Sequence, residues 1–186
     1  MLRIIGGKLG GRYIKSGWHK RSGLRPLAEV FREALFNSLG SLIGDAVFLD
    51  AFAGTGAVGI EALSRGAKFA IFVEKHRKTA FLIKNNLSML GIEDKGKVIR
   101  GDALKVIPSL NVKVDIAFFG PPYDKGFIPK LYTLLGSWKQ TPFLKRIVIQ
   151  SSPREWMEHP DFEVISDLSR GDTVLKILRY KEGYDG

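Results

Sequence analysis

Three carboxylates stand where short apolar runs end. Asp50 closes Val47-Phe48-Leu49, Glu74 closes the run 69–73, and Asp102 lies one glycine beyond the run 97–100. A fourth run, 115–119, delivers a different group: Gly120-Pro121-Pro122-Tyr123. Each run has the length and composition of a buried strand. An acid at a strand end can accept hydrogen bonds from hydroxyl or amino groups, or hold a cation. A double proline makes a stiff loop that lacks two backbone N–H groups but keeps its carbonyls as acceptors. The tyrosine adds a flat face on which a planar ligand can stack.

Asp50 is followed by Ala51-Phe52-Ala53-Gly54-Thr55-Gly56, then by helical apolar spacing at Val58, Ile60, Ala62 and Leu63 up to Gly66. Small residues let the backbone turn tightly and approach a ligand. Strand, glycine turn and helix form the first half of a βαβ nucleotide site, with helix-start amides expected to face the ligand. Gly54-x-Gly56-x-x-Gly59 also fits the dinucleotide fingerprint, which alone is weak evidence. In that fingerprint the strand runs straight into the first glycine; here Asp50-Ala51-Phe52-Ala53 intervenes. A carboxylate at the root of the loop suits a ligand with an ammonium or sulfonium group and repels a pyrophosphate. Glu74 lies 24 residues beyond Asp50, near the spacing of an acid that takes ribose hydroxyls.

These groups need a parallel sheet to bring their strand ends together. The spacing predicts helices over 57–65, 76–90, 104–110 and 130–138, and a fifth strand over 146–150. Residues 162–168 and 173–180 flank Ser169-Arg170-Gly171-Asp172, a hairpin signal. An earlier helix opens at Leu24-Arg25-Pro26 and runs to about Leu39, with Leu27, Val30, Phe31, Ala34, Leu35 and Leu39 inward. Ahead of it, 3–7 and 11–14 read as two short strands around a glycine-rich turn.

The chain has 186 residues, no cysteine and a net charge of +10. That excludes a disulfide framework and a thiolate metal site, and no apolar run approaches the length of a membrane span. The expectation is a monomer in the cytoplasm with no membrane partner and no metal. Seven of the basic residues, Arg3, Lys8, Arg12, Lys15, Lys20, Arg21 and Arg25, precede the first acid, Glu29. A basic arm ahead of a near-balanced domain suggests a polyanionic partner. Trp18, among Lys20, Arg21 and His19, could stack a base while its neighbours hold phosphates.

The stretch LDAFAGTGAVGIEALSRGA resembles motif I of class I S-adenosylmethionine-dependent methyltransferases. More narrowly, it is similar to the bacterial 16S rRNA guanine-N2 methyltransferase family. LRPLAEVFREALFN resembles the segment just ahead of the domain in that family. Arg25, Pro26, Arg32, Glu33, Phe36 and Asn37 fit, while Leu27-Ala28-Glu29-Val30-Phe31 stands where Thr-Thr-Asp-Arg-Val is usual. Amino-group methyltransferases commonly carry Asp or Asn before Pro-Pro-Tyr; here that position is Gly120.

The resemblance covers about residues 3–123 and implies an α/β, Rossmann-like class I fold. Its sheet has seven strands, mostly parallel, with an antiparallel C-terminal hairpin. Residues 1–40 form a basic N-terminal extension and 41–186 the methyltransferase domain. S-adenosylmethionine is the implied cofactor, held by Asp50, Phe52, Gly54, Thr55, Gly56, Glu74, Asp102 and Ala103. Gly120, Pro121, Pro122 and Tyr123 would form the pocket for a guanine of small-subunit rRNA, free or in a partly assembled subunit. Arg3, Lys8, Arg12, Trp18, Lys20, Arg21 and Arg25 would contact RNA. Methyl transfer to the exocyclic N2 needs acceptors for its protons, and Gly120 has no side chain to supply one. An RNA-binding protein without catalysis is therefore a second reading. The glycine spacing leaves a nicotinamide oxidoreductase as a third.

Overall fold

The computed structural model describes residues 1–17, 27–138 and 143–181. Its centre is a seven-stranded sheet built from β3 (Val47–Asp50), β4 (Phe69–Glu74), β5 (Gly96–Arg100), β6 (Ile116–Phe119), β7 (Arg146–Ser151), β8 (Phe162–Arg170) and β9 (Thr173–Tyr180). The spatial order is β5-β4-β3-β6-β7-β9-β8. The first five strands in that order run parallel, and β9 lies antiparallel to both β7 and β8. This is the class I Rossmann-like arrangement with its closing hairpin, which turns at Gly171 and Asp172.

Period-two alternation explains the layering. Phe48, Ala70, Phe72, Ile116, Phe118 and Val148 belong to one buried cluster, under α1 (Glu29–Leu39), α2 (Ala57–Ser64) and α3 (Arg77–Leu90). Their neighbours Leu49, Ile71, Val73, Ala117, Phe119, Ile147 and Ile149 belong to the other, under α4 (Ala103–Val106) and α5 (Phe127–Ser137). A parallel sheet covered on both faces reads as unbroken apolar runs, which is how these strands look in the sequence.

Several expected boundaries shift. Ala28 is extended and caps the helix, so α1 starts at Glu29; the expected start at 24–26 lies outside the described residues. Its inward face is Phe31, Arg32, Leu35, Phe36 and Leu39, and Val30 is 46% exposed. Phe81, expected inside α3, is 64% exposed. In both helices the apolar stripe is narrower than the apolar composition, because the face meeting the sheet is fixed by the buried i, i+3 and i+4 positions. Helix α5 begins at Phe127, a turn before the expected Lys130, with Gly126 at its N-cap.

The N-terminal segment is a short hairpin, β1 (Leu2–Arg3) paired with β2 (Tyr13–Ile14). It is bonded to α2 and α3. The fully buried Glu61 carboxylate accepts from the amides of Ile5 and Gly6, both at 2.8 Å, and from Arg65 Nε at 2.9 Å. Asn86 Oδ1 accepts from the Lys15 amide at 2.9 Å. Arg32, also buried, donates to the carbonyls of Leu27 and Arg3, both at 2.7 Å.

Candidate active site

Strand order reverses between β3 and β6, whose parallel neighbours on the other side are β4 and β7. Ligand sites of open α/β sheets lie outside the carboxyl ends of the strands at such a point. A cleft of about 840 Å³ opens there. Successive strand ends contribute Asp50, Glu74, Asp102, Gly120 and Gln150 to its lining. The expected residues Phe52, Gly54, Thr55, Ala103, Pro121, Pro122 and Tyr123 also line it.

Gly56 is the exception among the expected cofactor residues. It does not line the cleft. A β-carbon on it would face inward, 3.1 Å from Ile83 Cγ2. Gly56 is the N-cap of α2 with φ +77°, a conformation glycine adopts without steric cost. The third glycine serves packing: a β-carbon on Gly59 would sit 2.3 Å from Phe72 Cε1, so α2 approaches β4 closely only with glycine there.

The loop amides expected to face a ligand are partly claimed by the acids. Asp50 Oδ2 accepts from the Gly59 amide at 3.0 Å, satisfying a donor that the first turn of α2 leaves free. Glu74 accepts from the Gly54 amide at 2.9 Å through Oε2 and from the His76 amide at 2.7 Å through Oε1. Both acids thus shape the glycine loop, and both line the cleft. Asp50 is 1% exposed. Burial pushes its carboxyl up to about 7, with nearby Glu74 adding to the rise and the Gly59 hydrogen bond opposing it. A buried acid so disposed gains by meeting a cation. Asp102 caps α4 through Leu104 N at 3.1 Å and pairs with Lys75 at 3.4 Å. It is at once an N-cap and a cleft residue.

On the other half, Tyr123 is held by its hydroxyl. Gln150 Nε2 lies 2.5 Å away and Thr173 Oγ1 3.1 Å. Asp124, with φ +55°, accepts from Ser152 Oγ at 2.9 Å, so its carboxylate is engaged away from residue 120. Phe52 and Phe127 meet edge to face at 5.3 Å and form an aromatic wall.

Leu27, Phe127 and Gln150 were missed as site residues. Gln150 left a faint signal, being the polar residue that ends the apolar run 147–149. Phe127 left none, since an aromatic at a helix start is ordinary. Of the expected RNA contacts, Arg3, Lys8 and Arg12 are exposed on the hairpin and do not line the cleft. Trp18, Lys20, Arg21 and Arg25 lie outside the described residues.

Comparison with known proteins identifies the family. The family model described as Conserved hypothetical protein 95 matches residues 2–179. Ribosomal RNA small subunit methyltransferase D of Buchnera aphidicola is 38% identical over 137 residues, 73% of this chain and 70% of that protein. The solved structure of an Escherichia coli protein assigned as a methyltransferase superposes with a TM-score of 0.83 and 30% identity, covering 97% of this chain and 98% of that one. An RNA methyltransferase from Salinibacter ruber, solved with S-adenosyl-L-homocysteine, shares the fold at a TM-score of 0.63 and 13% identity, covering 87% of this chain and 98% of its own. The chain belongs to the Conserved hypothetical protein 95 family, and with it to the methyltransferases related to ribosomal RNA small subunit methyltransferase D.

Proposed function

We propose that this protein transfers a methyl group from S-adenosylmethionine to the exocyclic N2 of a guanine in small-subunit rRNA. The observation that carries this reading is the division of one cleft into two chemically different halves. Asp50, Glu74, Asp102 and the glycine loop line one half; the rigid Gly120–Tyr123 loop lines the other. The acidic half fits the cofactor. The buried Asp50 would take the ammonium group, Glu74 the ribose hydroxyls, and Asp102 and Ala103 the base. Phe52 and Phe127 supply an apolar wall, and Gly54 and Thr55 a close-approaching backbone. When bound, S-adenosylmethionine supplies an electrophilic methyl group on a sulfonium.

The protein's own task is to present the amine. The N2 lone pair is delocalised into the purine ring, so the amine must be oriented with its protons taken by acceptors. The Pro121 carbonyl is one acceptor, held in a loop that its two prolines stiffen. Tyr123 offers its ring face, fixed by Gln150 and Thr173. A target base in folded RNA must lie in a loop or be flipped out to reach it.

The rival reading, RNA binding without catalysis, rests on Gly120. The nicotinamide reading loses its footing with the family assignment. The decisive experiment is transfer of labelled methyl groups to small subunits lacking the modification, with naked small-subunit rRNA alongside. Digestion of the product should yield N2-methylguanosine. RNA binding with no transfer to either substrate would leave the non-catalytic reading standing.

A further inference from the structure

The Gly120 position is not empty. Phe119 and Ile149 are register partners across β6 and β7, so Gly120 and Gln150, one residue further on, lie side by side. Both follow the alternation that puts Phe118 and Val148 on the same face. A β-carbon built on Gly120 would lie 2.9 Å from Phe118 Cε1 and 3.2 Å from Gln150 Oε1. The glutamine amide oxygen therefore occupies space beside residue 120 that a side chain there would take. The other end of the amide meets Tyr123. Nε2 donates to the Tyr123 hydroxyl at 2.5 Å, and that hydroxyl can pass its own proton to Thr173 Oγ1 at 3.1 Å. Oε1 is left facing Gly120 in the cleft lining, with no hydrogen-bond donor among the described residues. Gln150 as a whole is 9% exposed, and its Oε1 is not among the fully buried unpartnered atoms, so this acceptor is open to the cleft.

We infer that Gln150 supplies the side-chain acceptor that Gly120 lacks, its Oε1 taking a hydrogen bond from the N2 amino group of the target guanine. This rests on the methyl-transfer reading above. The division of labour is then consistent: the Pro121 carbonyl and Gln150 Oε1 take the two amine protons, and Tyr123 both stacks the base and fixes the amide. Glycine at 120 leaves room for this arrangement. A side chain there crowds the Phe118 ring and the glutamine oxygen, which must both give way, and a carboxylate would set two acceptors against each other.

The arrangement predicts sign epistasis between the two positions. Single-turnover methyl transfer to unmodified small subunits is compared in wild type, Gln150→Ala, Gln150→Glu, Gly120→Asp and Gly120→Asp/Gln150→Ala. Melting temperature and affinity for S-adenosylhomocysteine are measured for each. Gln150→Ala should lose on the order of a hundredfold in rate, the usual loss for one preorganised hydrogen-bonding group. Its cofactor affinity should be unchanged. Gln150→Glu, which keeps an acceptor and can still bond Tyr123, should stay within about tenfold of wild type. Gly120→Asp should slow the wild type but recover at least about tenfold in the Gln150→Ala background, where the acid has both space and a role. A Gln150→Ala protein as fast as wild type overturns the inference. So does a slow Gln150→Ala that Gly120→Asp fails to rescue, since Gln150 would then act only by supporting Tyr123. A wild type that transfers no methyl group, or modifies an atom other than N2, sinks the functional reading itself and this inference with it.

Discussion

Asp50 carries the clearest electrostatic consequence of a single residue. Its carboxyl is raised to about 7 by burial, and Glu74 adds to the rise. The folded value lies above the unfolded one, so the group favours folding below the ordinary carboxylate range. That contribution is lost as pH rises through about 7. A bound cation inverts the preference, because it stabilises the ionised form. S-adenosylmethionine binding should therefore expel a proton near neutral pH and weaken on acidification. Below pH 7 the affinity should fall by up to about tenfold per unit. Asp50→Asn keeps an acceptor for the Gly59 amide and should flatten this dependence while lowering affinity above pH 7. Calorimetric titration from pH 5.5 to 8.5 reads both; a flat wild-type profile would show that Asp50 does not face the cofactor's charge. The acids at 50, 74 and 102 were legible in the sequence because each ends an apolar run. Their amide partners were not, since Gly54 and Gly59 meet carboxylates only once the loop is wrapped. Gln150 was invisible as a site residue for a related reason. Its meaning comes from lying beside Gly120 in register, and they are 30 positions apart in the chain.

At the scale of elements, every strand and helix of the sheet domain could be read from periodicity, and the errors fall at helix starts and helix faces. Composition cannot say which of Val30, Phe31, Phe81 and Ile83 points inward; contact with the sheet decides it. Nor could periodicity show that two buried charges hold the N-terminal segment in place. Glu61 takes two hairpin amides, and Arg32 takes the carbonyls of Leu27 and Arg3. Leu27 also lines the cleft, so this anchoring reaches the site. Glu61→Ala removes the acceptor for both amides and the partner of Arg65. The expected cost is about 3 kcal/mol, a fall in melting temperature of roughly 6–12 °C for a chain of this size. Amide exchange at Ile5 and Gly6 should accelerate well beyond that at Ala117 and Phe119 in β6. Equal acceleration would mean that the hairpin opens only with the whole domain. A second element-level test is Gly59→Val. Its side chain must displace Phe72 and lift α2 from β4, at about 1–3 kcal/mol, read by thermal melting.

The whole molecule keeps the described basic residues of its first segment off the cleft. Seven of the chain's basic residues precede its first acid, and in the described part of that segment Arg3, Lys8, Arg12 and Lys15 are exposed on the hairpin or just beyond it. None of these four lines the cleft. Held to α2 and α3 by Glu61 and Asn86, the hairpin is a fixed basic surface, and we propose that it docks a folded RNA while one base enters the pocket. Arg12 is the least suitable probe of that role, because it also donates to the Leu90 carbonyl at the end of α3, at 3.4 Å. Arg3 and Lys8 have side chains with no such structural duty among the described residues. Replacing both with alanine should weaken rRNA binding and lower the slope of log affinity against log salt. Each lost phosphate contact contributes roughly 0.7–0.9, so the pair should remove roughly 1.4–1.8. Affinity for S-adenosylhomocysteine should stay unchanged, and the rate at saturating RNA should remain close to wild type, since neither side chain reaches the reacting groups. A slope equal to that of wild type would show that Arg3 and Lys8 do not touch phosphate. The cleft also has basic residues of its own, Lys75, Lys125 and Arg154, and neutralising those should alter cofactor and RNA binding together.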